Sequence, residues 1–297
     1  MEIQKKYIEI NNKKMAVIDE WSGESIIFLH GNPSSSYLWR NIAPNFTDTN
    51  RIVVPDLIGM GDSEKLDGID NPDYNLAGHY DFLEKLFEKL DVGNNLHFVI
   101  HDWGCALGLK YARLNSDRIK SITFMEGLVV PLTWEKWPEI ARKIFSLFRS
   151  EAGEELVLEK NFFVERLLLT DPITPMSEET KKEYLRPYLE EGESRRPTLT
   201  WPRNIPLDGY EPKETLDTVK ANAEFHSSSS IPKLFVNADP GLILVGEQRE
   251  EIRGWNNLKE VSVKGNHFIQ EDSSQEITEH LKEFISRLWQ SIIKNIF

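Results

Sequence analysis

The chain has a single cysteine, no long apolar run and fewer basic than acidic residues. With only Cys105, an intramolecular disulfide is impossible, which fits a reducing compartment. The N-terminal segment Met1–Met15 contains no apolar run long enough for a signal peptide. No segment approaches the roughly 20 apolar residues that a membrane span needs. These absences predict a soluble, cytoplasmic protein with no membrane partner.

The charge balance also limits the partners. The 35 Lys and Arg residues against 48 Asp and Glu residues give a net charge of −13, which repels nucleic-acid phosphates and anionic lipid headgroups. Nucleic acid is therefore excluded as a partner. Hydrophobic residues at 40% and aromatic residues at 10% exclude disorder. A chain of 297 residues in this class is expected to form one continuous core with an insertion.

Short β-type runs recur along the chain, with helical stretches between them. Eight strands are predicted, at Tyr7–Asn11, Met15–Asp19, Ile26–His30, Arg51–Pro55, Leu96–His101, Ile119–Met125, Lys233–Asn237 and Leu258–Val263. The first two alternate apolar and polar residues, which predicts an antiparallel edge hairpin. The other six are mostly continuous apolar runs, typical of strands covered by helices on both faces. Helices are predicted at Tyr74–Leu90, Ala106–Leu114, Val245–Ile252 and Ser274–Ile293. The pattern predicts an α/β fold with a mostly parallel sheet and crossover helices.

The alternation of strands and helices stops after the sixth strand. From about residue 129 to residue 209 the sequence is helical and aromatic, and prolines interrupt it; the strand pattern returns at Ile231. We therefore divide the chain into a first core part (1–128), a helical cap (129–209) and a second core part (210–297). The apolar residues of such a cap must face a dry space.

The junction after the fifth strand carries the sharpest catalytic signal. An apolar strand runs through Asp102 into the small residues that start a helix, which is the strand–turn–helix setting of a nucleophile elbow. The general elbow pattern has glycine two positions before and two after the nucleophile. Gly104 fits the second position, but Ile100 occupies the first. The plain alternative is that Asp102 only caps the helix.

An aspartate nucleophile predicts a particular chemistry. Its carboxylate, with an ordinary pKa of about 3.9, is already ionised at neutral pH and is suited to displacement at sp³ carbon. The product is an ester, and its hydrolysis needs a general base, normally histidine. His267 follows the last predicted strand, where the histidine of such a triad is expected.

The acid that orients His267 and the donors that stabilise charge are the remaining candidates. Glu126 ends the sixth strand and Asp239 follows the seventh in a strong turn sequence, and the residues alone leave both open. Backbone amides after the third strand and after the nucleophile would form an oxyanion hole. The Asn32 amide and the Trp103 indole add two neutral N–H donors, which suit a released monoanion such as halide.

Five segments together resemble a known family. They are residues 30–40 (HGNPSSSYLWR), 56–63 (DLIGMGDS), 101–104 (HDWG), 195–203 (RRPTLTWPR) and 267–272 (HFIQED). They resemble the haloalkane dehalogenases of the α/β-hydrolase fold over nearly the whole chain, in the subgroup whose acid ends strand six. The resemblance implies cofactor-independent hydrolysis of haloalkanes to alcohol, halide and a proton through an alkyl-aspartate ester. It implies a catalytic triad and a halide site, formed by Asp102 as nucleophile, His267 as base, Glu126 as acid, and Asn32 with Trp103 on the halide.

The same resemblance implies a substrate pocket and its partners. The implied lining residues are Trp137, Phe145, Phe148, Phe163, Pro202, Ile205 and Phe268, with Asp171 and Ile243 near the mouth. An acidic residue at a tunnel mouth is expected to affect substrate access. The implied partners are a small neutral halogenated substrate, water and a halide ion, with no cofactor and no metal.

Competing functions share parts of these motifs. Renilla-type coelenterazine luciferases resemble the chain through the same His-Gly-Asn, His-Asp-Trp-Gly and His-Phe motifs, although Pro33 and residues 151–156 are closer to the dehalogenases. An epoxide hydrolase would share the aspartate and the histidine but leaves Asn32 and Trp103 without a role. Its proton donor would be one of Tyr184, Tyr188 and Tyr210. A full set of nucleophile, base and acid argues against a non-catalytic ligand receptor.

Overall fold

The two alternating runs at the start of the chain form the predicted hairpin at one edge of a sheet. The computed structural model describes residues 4–137, 139–207, 209 and 212–296. In it, β1 (Lys5–Ile10) pairs antiparallel with β2 (Lys13–Glu20). Asn11 and Asn12 at the turn both have positive φ, 49° and 61°, as a two-residue hairpin turn of type I′ requires.

The sheet has eight strands, as the sequence predicts. The further strands are β3 (Ser25–Leu29), β4 (Arg51–Pro55), β5 (Leu96–Asp102), β6 (Ile119–Gly127), β7 (Lys233–Pro240) and β8 (Leu258–Gly265). Their order is β1-β2-β4-β3-β5-β6-β7-β8, and all pairs from β4 to β8 are parallel. The chain leaves β3 to one side to form β4 and then crosses to the other side to form β5. Such a switch point opens a crevice at the carboxyl ends of the two central strands, where α/β proteins bind ligands.

Helices connect the strands and cover both faces of the sheet. The α-helices are α1 (Leu76–Leu90), α2 (Trp103–Leu114), α3 (Glu139–Arg149), α4 (Glu178–Leu185), α5 (Arg196–Arg203), α6 (Lys213–Ser228), α7 (Gly246–Arg253), α8 (Ile269–Asp272) and α9 (Ser274–Ile296). Short 3₁₀ turns lie at Ser36–Trp39, Ala43–Phe46, Pro72–Tyr74, Ser116–Arg118, Trp134–Lys136, Arg186–Tyr188 and Gly192–Arg195, and π-helical turns at Glu154–Glu159 and Phe163–Leu168. In the described part of the chain, no helix combines the length and the apolar character that crossing a membrane requires.

The central strands are buried on both faces. In β5, Phe98 and Ile100 pack into the hydrophobic cluster under α1 and α2, whereas Val99 packs into the cluster under α9. All seven residues of β5 are buried. This two-sided burial explains the continuous apolar runs by which the inner strands were predicted.

The predicted helix α1 begins later than its apolar pattern indicates. Tyr74 belongs to a separate 3₁₀ turn, and the side chain of Asn75 accepts a hydrogen bond from the N–H of Gly78 at 2.8 Å. Asparagine at this position is a strong helix cap, so the helix starts at Leu76.

The segment between β6 and α6 contributes helices and turns, and none of its described residues belongs to a strand of the sheet. Leu132 and Leu207 form an isolated parallel bridge, so the two ends of the segment leave and rejoin the rest of the protein side by side. Tyr210, one of the tyrosines considered for an epoxide hydrolase, lies outside the described residues.

Candidate active site

The first candidate residue, Asp102, lies at the sharp turn between β5 and α2. Its backbone has φ 51° and ψ −123°, which a residue with a side chain rarely adopts and which costs energy. The Asp102 side chain makes no capping hydrogen bond to α2. The strained turn therefore presents the carboxylate to the crevice and is not explained by helix capping.

Ile100, which departs from the general elbow pattern, is accommodated by α2. A Cβ atom at Gly108 would lie 2.8 Å from Cγ2 of Ile100, closer than real contacts allow. Gly108 therefore leaves the space that the larger side chain needs, so the elbow forms without the glycine at the first position.

The loop after β3 donates a hydrogen bond to one oxygen of the Asp102 carboxylate. The N–H of Asn32 donates to Oδ2 of Asp102 at 2.6 Å. A Cβ at Gly31 would lie 2.2 Å from that same oxygen, so glycine is needed for this close approach. The other oxygen, Oδ1, faces Nε2 of His267 at 3.7 Å. Burial raises the pKa of Asp102, while His267 and the backbone N–H groups of Asn32 and Trp103 act in the opposite direction.

His267 lies between two carboxylates. Its Nδ1 is 3.7 Å from Oε2 of Glu126, and its Nε2 is on the Asp102 side. Both distances are longer than a hydrogen bond, and Nδ1 has no hydrogen-bond partner. Burial lowers the pKa of His267, but Glu126, Asp102 and Asp171 outweigh it and raise this pKa above its ordinary value.

The structure places Glu126, and not Asp239, beside the imidazole. Glu126 is 1% exposed at the end of β6. Its Oε2 accepts hydrogen bonds of 2.8 Å from the N–H groups of Leu242 and Ile243 after β7. Asp239 is exposed at the end of β7. The loop after β7 thus holds the Glu126 carboxylate beside His267, which is the position that the predicted orienting acid requires.

Asn32 and Trp103 both line the crevice in front of Asp102. The Asn32 side-chain amide donates to the carbonyl of Thr198 at 3.3 Å. The Trp103 ring stacks on Trp201 with 4.2 Å between ring centroids. These two contacts with α5 fix both side chains in the wall of the crevice, in front of the Asp102 carboxylate.

The crevice is a cavity of about 250 Å³. Eight of the residues expected from the resemblance line it: Trp137, Phe145, Phe163, Asp171, Pro202, Ile205, Ile243 and Phe268. Sequence reasoning missed Leu128, Ala141, Ile144, Arg166, Leu167, Thr170 and Leu242. Ala141, Ile144 and Phe145 follow the i, i+3, i+4 spacing of one helix face. This spacing in α3 was the signal that could have identified Ala141 and Ile144.

Phe148, expected in the pocket, is not among the lining residues. It is fully buried, with its ring centroid 5.7 Å from that of Phe145 and 5.2 Å from that of Phe163. Phe148 therefore supports the two lining rings from behind, within the cluster that also contains Val157 and Leu199.

Asp171, expected near the tunnel mouth, lines the cavity and also bonds the loop that carries His267. Its Oδ2 accepts hydrogen bonds from the N–H groups of His267 and Phe268, at 3.0 and 2.8 Å. Burial raises the pKa of the Asp171 carboxyl. Nothing in the sequence around Asp171 indicates this contact, since the partners are nearly one hundred residues apart.

Comparison with known proteins agrees with this geometry. The sequence model of the α/β hydrolase fold family matches residues 24–274. The chain is therefore an α/β-hydrolase, as its sheet order and elbow indicate.

Individual relatives define the family more closely. A haloalkane dehalogenase of Sphingobium indicum is 47% identical over 285 residues, covering 96% of each chain. A haloalkane dehalogenase of Mycolicibacterium smegmatis is 46% identical, covering 95% of this chain and 91% of its own. The coelenterazine h 2-monooxygenase of Renilla reniformis is 40% identical, covering 93% and 91%.

Solved structures show the same relationship. An ancestral haloalkane dehalogenase superposes with a TM-score of 0.90 at 32% identity, covering 96% of this chain and 99% of that one. A haloalkane dehalogenase from Bradyrhizobium elkani superposes with a TM-score of 0.91 at 30% identity, covering 98% and 100%. The chain belongs to the haloalkane dehalogenase family, which confirms the resemblance seen in the sequence.

Proposed function

We propose that this protein hydrolyses haloalkanes to the alcohol, a halide ion and a proton through an ester on Asp102. The observation that carries the proposal is the carboxylate itself. One of its oxygens is clasped by a backbone N–H, and the other faces both the imidazole and a mostly apolar cavity with two side-chain N–H donors. Displacement at sp³ carbon needs a nucleophile that is already ionised, as this carboxylate is. A serine nucleophile would instead need a base to activate it.

In the first half-reaction, Oδ1 of Asp102 attacks the carbon that carries the halogen. The new C–O bond forms as the carbon–halogen bond breaks, and the halide leaves with the electron pair. The N–H groups of Asn32 and Trp103 bind the departing halide, and their interaction strengthens as its charge develops. Asp102 is 5% exposed, and its burial favours this step, because a poorly solvated anion is the stronger nucleophile.

In the second half-reaction, His267 takes a proton from water at Nε2, and the water oxygen attacks Cγ of the ester. Negative charge develops on Oδ2, where the N–H of Asn32 already points. Collapse of this intermediate breaks the bond between Cγ and Oδ1, and the alkoxide takes the proton from His267 to leave as the alcohol. The new carboxyl group of Asp102, which carries the oxygen from water, then ionises and releases the proton, so the carboxylate is restored. Glu126 stabilises the imidazolium in between, as the acid of a triad does.

Esterification itself prepares His267 for this second role. Asp102 is one of three carboxylates that raise the pKa of His267. Once Asp102 is an ester, its charge is gone and the pKa of His267 falls. The imidazole is therefore more often neutral, and able to act as a base, when the ester is present.

We further propose that residues 129–209 act as a cap between the core parts 1–128 and 210–297. The segment supplies Trp137, Phe145, Phe163 and Pro202 to the cavity wall. Such a wall excludes bulk water from the ester and suits a small, neutral halogenated substrate.

The Renilla relative makes a luciferase the alternative function, but the volume of the cavity disfavours it. Pockets for drug-sized ligands are roughly 300–1,000 Å³. The cavity of about 250 Å³ lies below this range and fits a short haloalkane better than a large imidazopyrazinone. For an epoxide hydrolase, Tyr184 and Tyr188 are buried in the protein, and neither lines the cavity.

The test measures bromide and proton release from 1-bromobutane and 1,2-dibromoethane, and light emission with coelenterazine in air, on one preparation. We expect bromide and protons in equal amounts, little light, and a loss of bromide release of about tenfold or more in Asn32→Ala and Trp103→Leu. Leu189→Ala, an exposed position outside the cavity, is the control. Strong light without bromide release would establish the luciferase alternative, and unchanged release in both donor variants would remove the halide role of Asn32 and Trp103.

A further inference from the structure

The loop that carries His267 and the segment at residues 170–174 are bonded to each other in both directions. Asp171 accepts the N–H groups of His267 and Phe268, and its own carbonyl accepts a hydrogen bond of 2.7 Å from the Asn266 side chain. In return, Asp272 accepts the N–H groups of Ile173 and Thr174, at 3.0 and 2.9 Å. Each segment thus supplies a carboxylate to the backbone of the other.

The backbone of His267 is held on both sides by these and neighbouring contacts. Its N–H is bonded to Asp171, and its carbonyl lies 2.9 Å from Nε2 of His101. Burial keeps the pKa of His101 well below its ordinary value, so this ring is neutral and its Nε2–H is the donor. The imidazole of His267 itself has no hydrogen bond at Nδ1. The position of the ring therefore depends on the backbone anchors more than on its contact with Glu126.

Asp171 also helps to raise the pKa of the His267 ring. Three carboxylates lie around the His267 ring: Asp102 and Glu126, each 3.7 Å from a ring nitrogen, and Asp171. The other titratable or charged groups on this side of the cavity are the neutral His101, whose ring centroid is 4.5 Å from that of His267, and Arg166 in the cavity wall. After Asp102 has become an ester, Glu126 and Asp171 are the carboxylates left to stabilise the imidazolium.

We propose that Asp171 is a positioning residue for the hydrolytic half-reaction: it anchors the backbone of His267 and places a second carboxylate near the imidazole. This proposal rests on the proposed function and replaces the expectation that Asp171 only affects access at the tunnel mouth. The anchor comes from the segment between β6 and α6, which also supplies several residues of the cavity wall.

The test compares Asp171→Asn and Asp171→Leu with Asp272→Asn. Asparagine at 171 keeps an oxygen that can accept the two N–H groups but removes the charge, whereas leucine removes both. Asp272→Asn removes a charge from the same junction on the side that bonds Ile173 and Thr174, and is the matched control. Circular dichroism and thermal unfolding establish that each variant is folded.

Two measurements are made on each variant. Rapid-quench kinetics with 1-bromobutane separate the first bromide burst from steady-state turnover. We expect a burst of one bromide per enzyme at a wild-type rate in every variant, and a hydrolysis rate lowered by about tenfold or more in Asp171→Leu and less in Asp171→Asn. NMR titration of the His267 ring should give a midpoint at lower pH in Asp171→Asn than in the wild type, with Asp272→Asn unchanged.

The outcomes separate this proposal from the proposed function. A slower burst with unchanged hydrolysis would make Asp171 an access residue and overturn the proposal, as would equal shifts of the His267 midpoint in Asp171→Asn and Asp272→Asn. Absence of any bromide release by the wild type, in the burst phase or at steady state, would overturn the dehalogenase function instead. In that case the NMR titration, which needs no substrate, still decides whether Asp171 acts on His267.

Discussion

Replacing His79 by phenylalanine should make the protein less sensitive to acid. His79 lies in α1, 1% exposed, with its ring stacked on Trp201 at 4.2 Å between centroids and near Tyr74. Neither ring nitrogen has a hydrogen-bond partner. Burial lowers the pKa of His79 to about 3, because a charged imidazolium would be without water or a counter-ion there.

The direction and size of the effect follow from this pKa. In the unfolded chain a histidine has a pKa of about 6.5. Below this pH the unfolded state therefore binds a proton at His79, whereas the folded state does not. The free energy of unfolding therefore falls with decreasing pH from about 6.5 until the folded pKa of about 3 is reached. At pH 5 the loss from His79 alone is about 2 kcal/mol.

Other buried histidines add to this loss. Burial lowers the pKa of His30 and of His226 to about 4 each, and these residues contribute about 2 kcal/mol apiece at pH 5 by the same reasoning. His267 acts in the opposite sense, because its pKa is raised. The sum for His79, His30 and His226, roughly 6 kcal/mol, is comparable to the roughly 5–15 kcal/mol by which a typical protein is stable. Burial also lowers the pKa of His101, which acts in the same direction. A marked loss of stability between about pH 6.5 and pH 5 is therefore expected.

The assay is urea unfolding followed by tryptophan fluorescence at pH 8 and pH 5. In His79→Phe, the decrease in the free energy of unfolding between the two pH values should be about 2 kcal/mol smaller than in the wild type. Phe82→Leu, in the same helix and also buried, is the control, since it changes packing but no titrating group. Equal decreases in the wild type and His79→Phe would refute the reasoning, because the folded protein would then accept a proton at His79.

Three further predictions concern the proposed chemistry. Asp102→Ala should abolish bromide release while the protein stays folded, and wild-type rates by the same assay would remove Asp102 as the nucleophile. His267→Phe should release one bromide per enzyme and then stop; mass spectrometry should find the alkyl group on Asp102, and an unmodified protein would contradict the two-step scheme. Glu126→Gln should lower turnover by about a hundredfold or more, and Asp239→Asn, at an exposed site, by far less. The reverse ranking would assign the triad acid to Asp239.

The strands were predictable because their signal is local and strong. Each inner strand is a continuous apolar run, and two-sided burial requires that composition whatever surrounds it. The carboxyl ends of β7 and β8 were placed too early: β7 continues to Pro240 and β8 to Gly265. Aspartate, proline and glycine are typical of turns, so a sequence pattern ends the strand before the residues at its carboxyl end.

The start of α2 was missed for a related reason. The sequence predicts a helix from Ala106, whereas α2 begins at Trp103. Tryptophan and glycine are weak helix formers, and the helix starts there because the strained backbone of Asp102 turns the chain sharply out of β5. The motif thus identified Asp102, but the helical pattern could not show how closely the helix follows it.

The contacts that complete the site are long-range and leave no local pattern. Glu126 lies beside His267 because the N–H groups of Leu242 and Ile243 bind its carboxylate from another loop. The bond from Asp171 to the His267 loop likewise joins segments that are far apart in the chain. Family resemblance could favour Glu126 over Asp239, but it gave Asp171 only a place at the mouth of the pocket.

The charges around His267 set two demands that must both be met. A base with a strongly raised pKa stays protonated and cannot accept a proton from water, whereas one with a low pKa is too weak to take it. In the proposed mechanism, esterification of Asp102 removes one of the carboxylates that raise the pKa of His267, at the moment when the base is needed. Neither Glu126 nor Asp171 forms a bond to the substrate in this mechanism, so both carboxyl groups remain beside the imidazole and limit how far this pKa falls. On this proposal, the nucleophile controls when the base becomes available, and the two remaining carboxylates determine how strong a base it is.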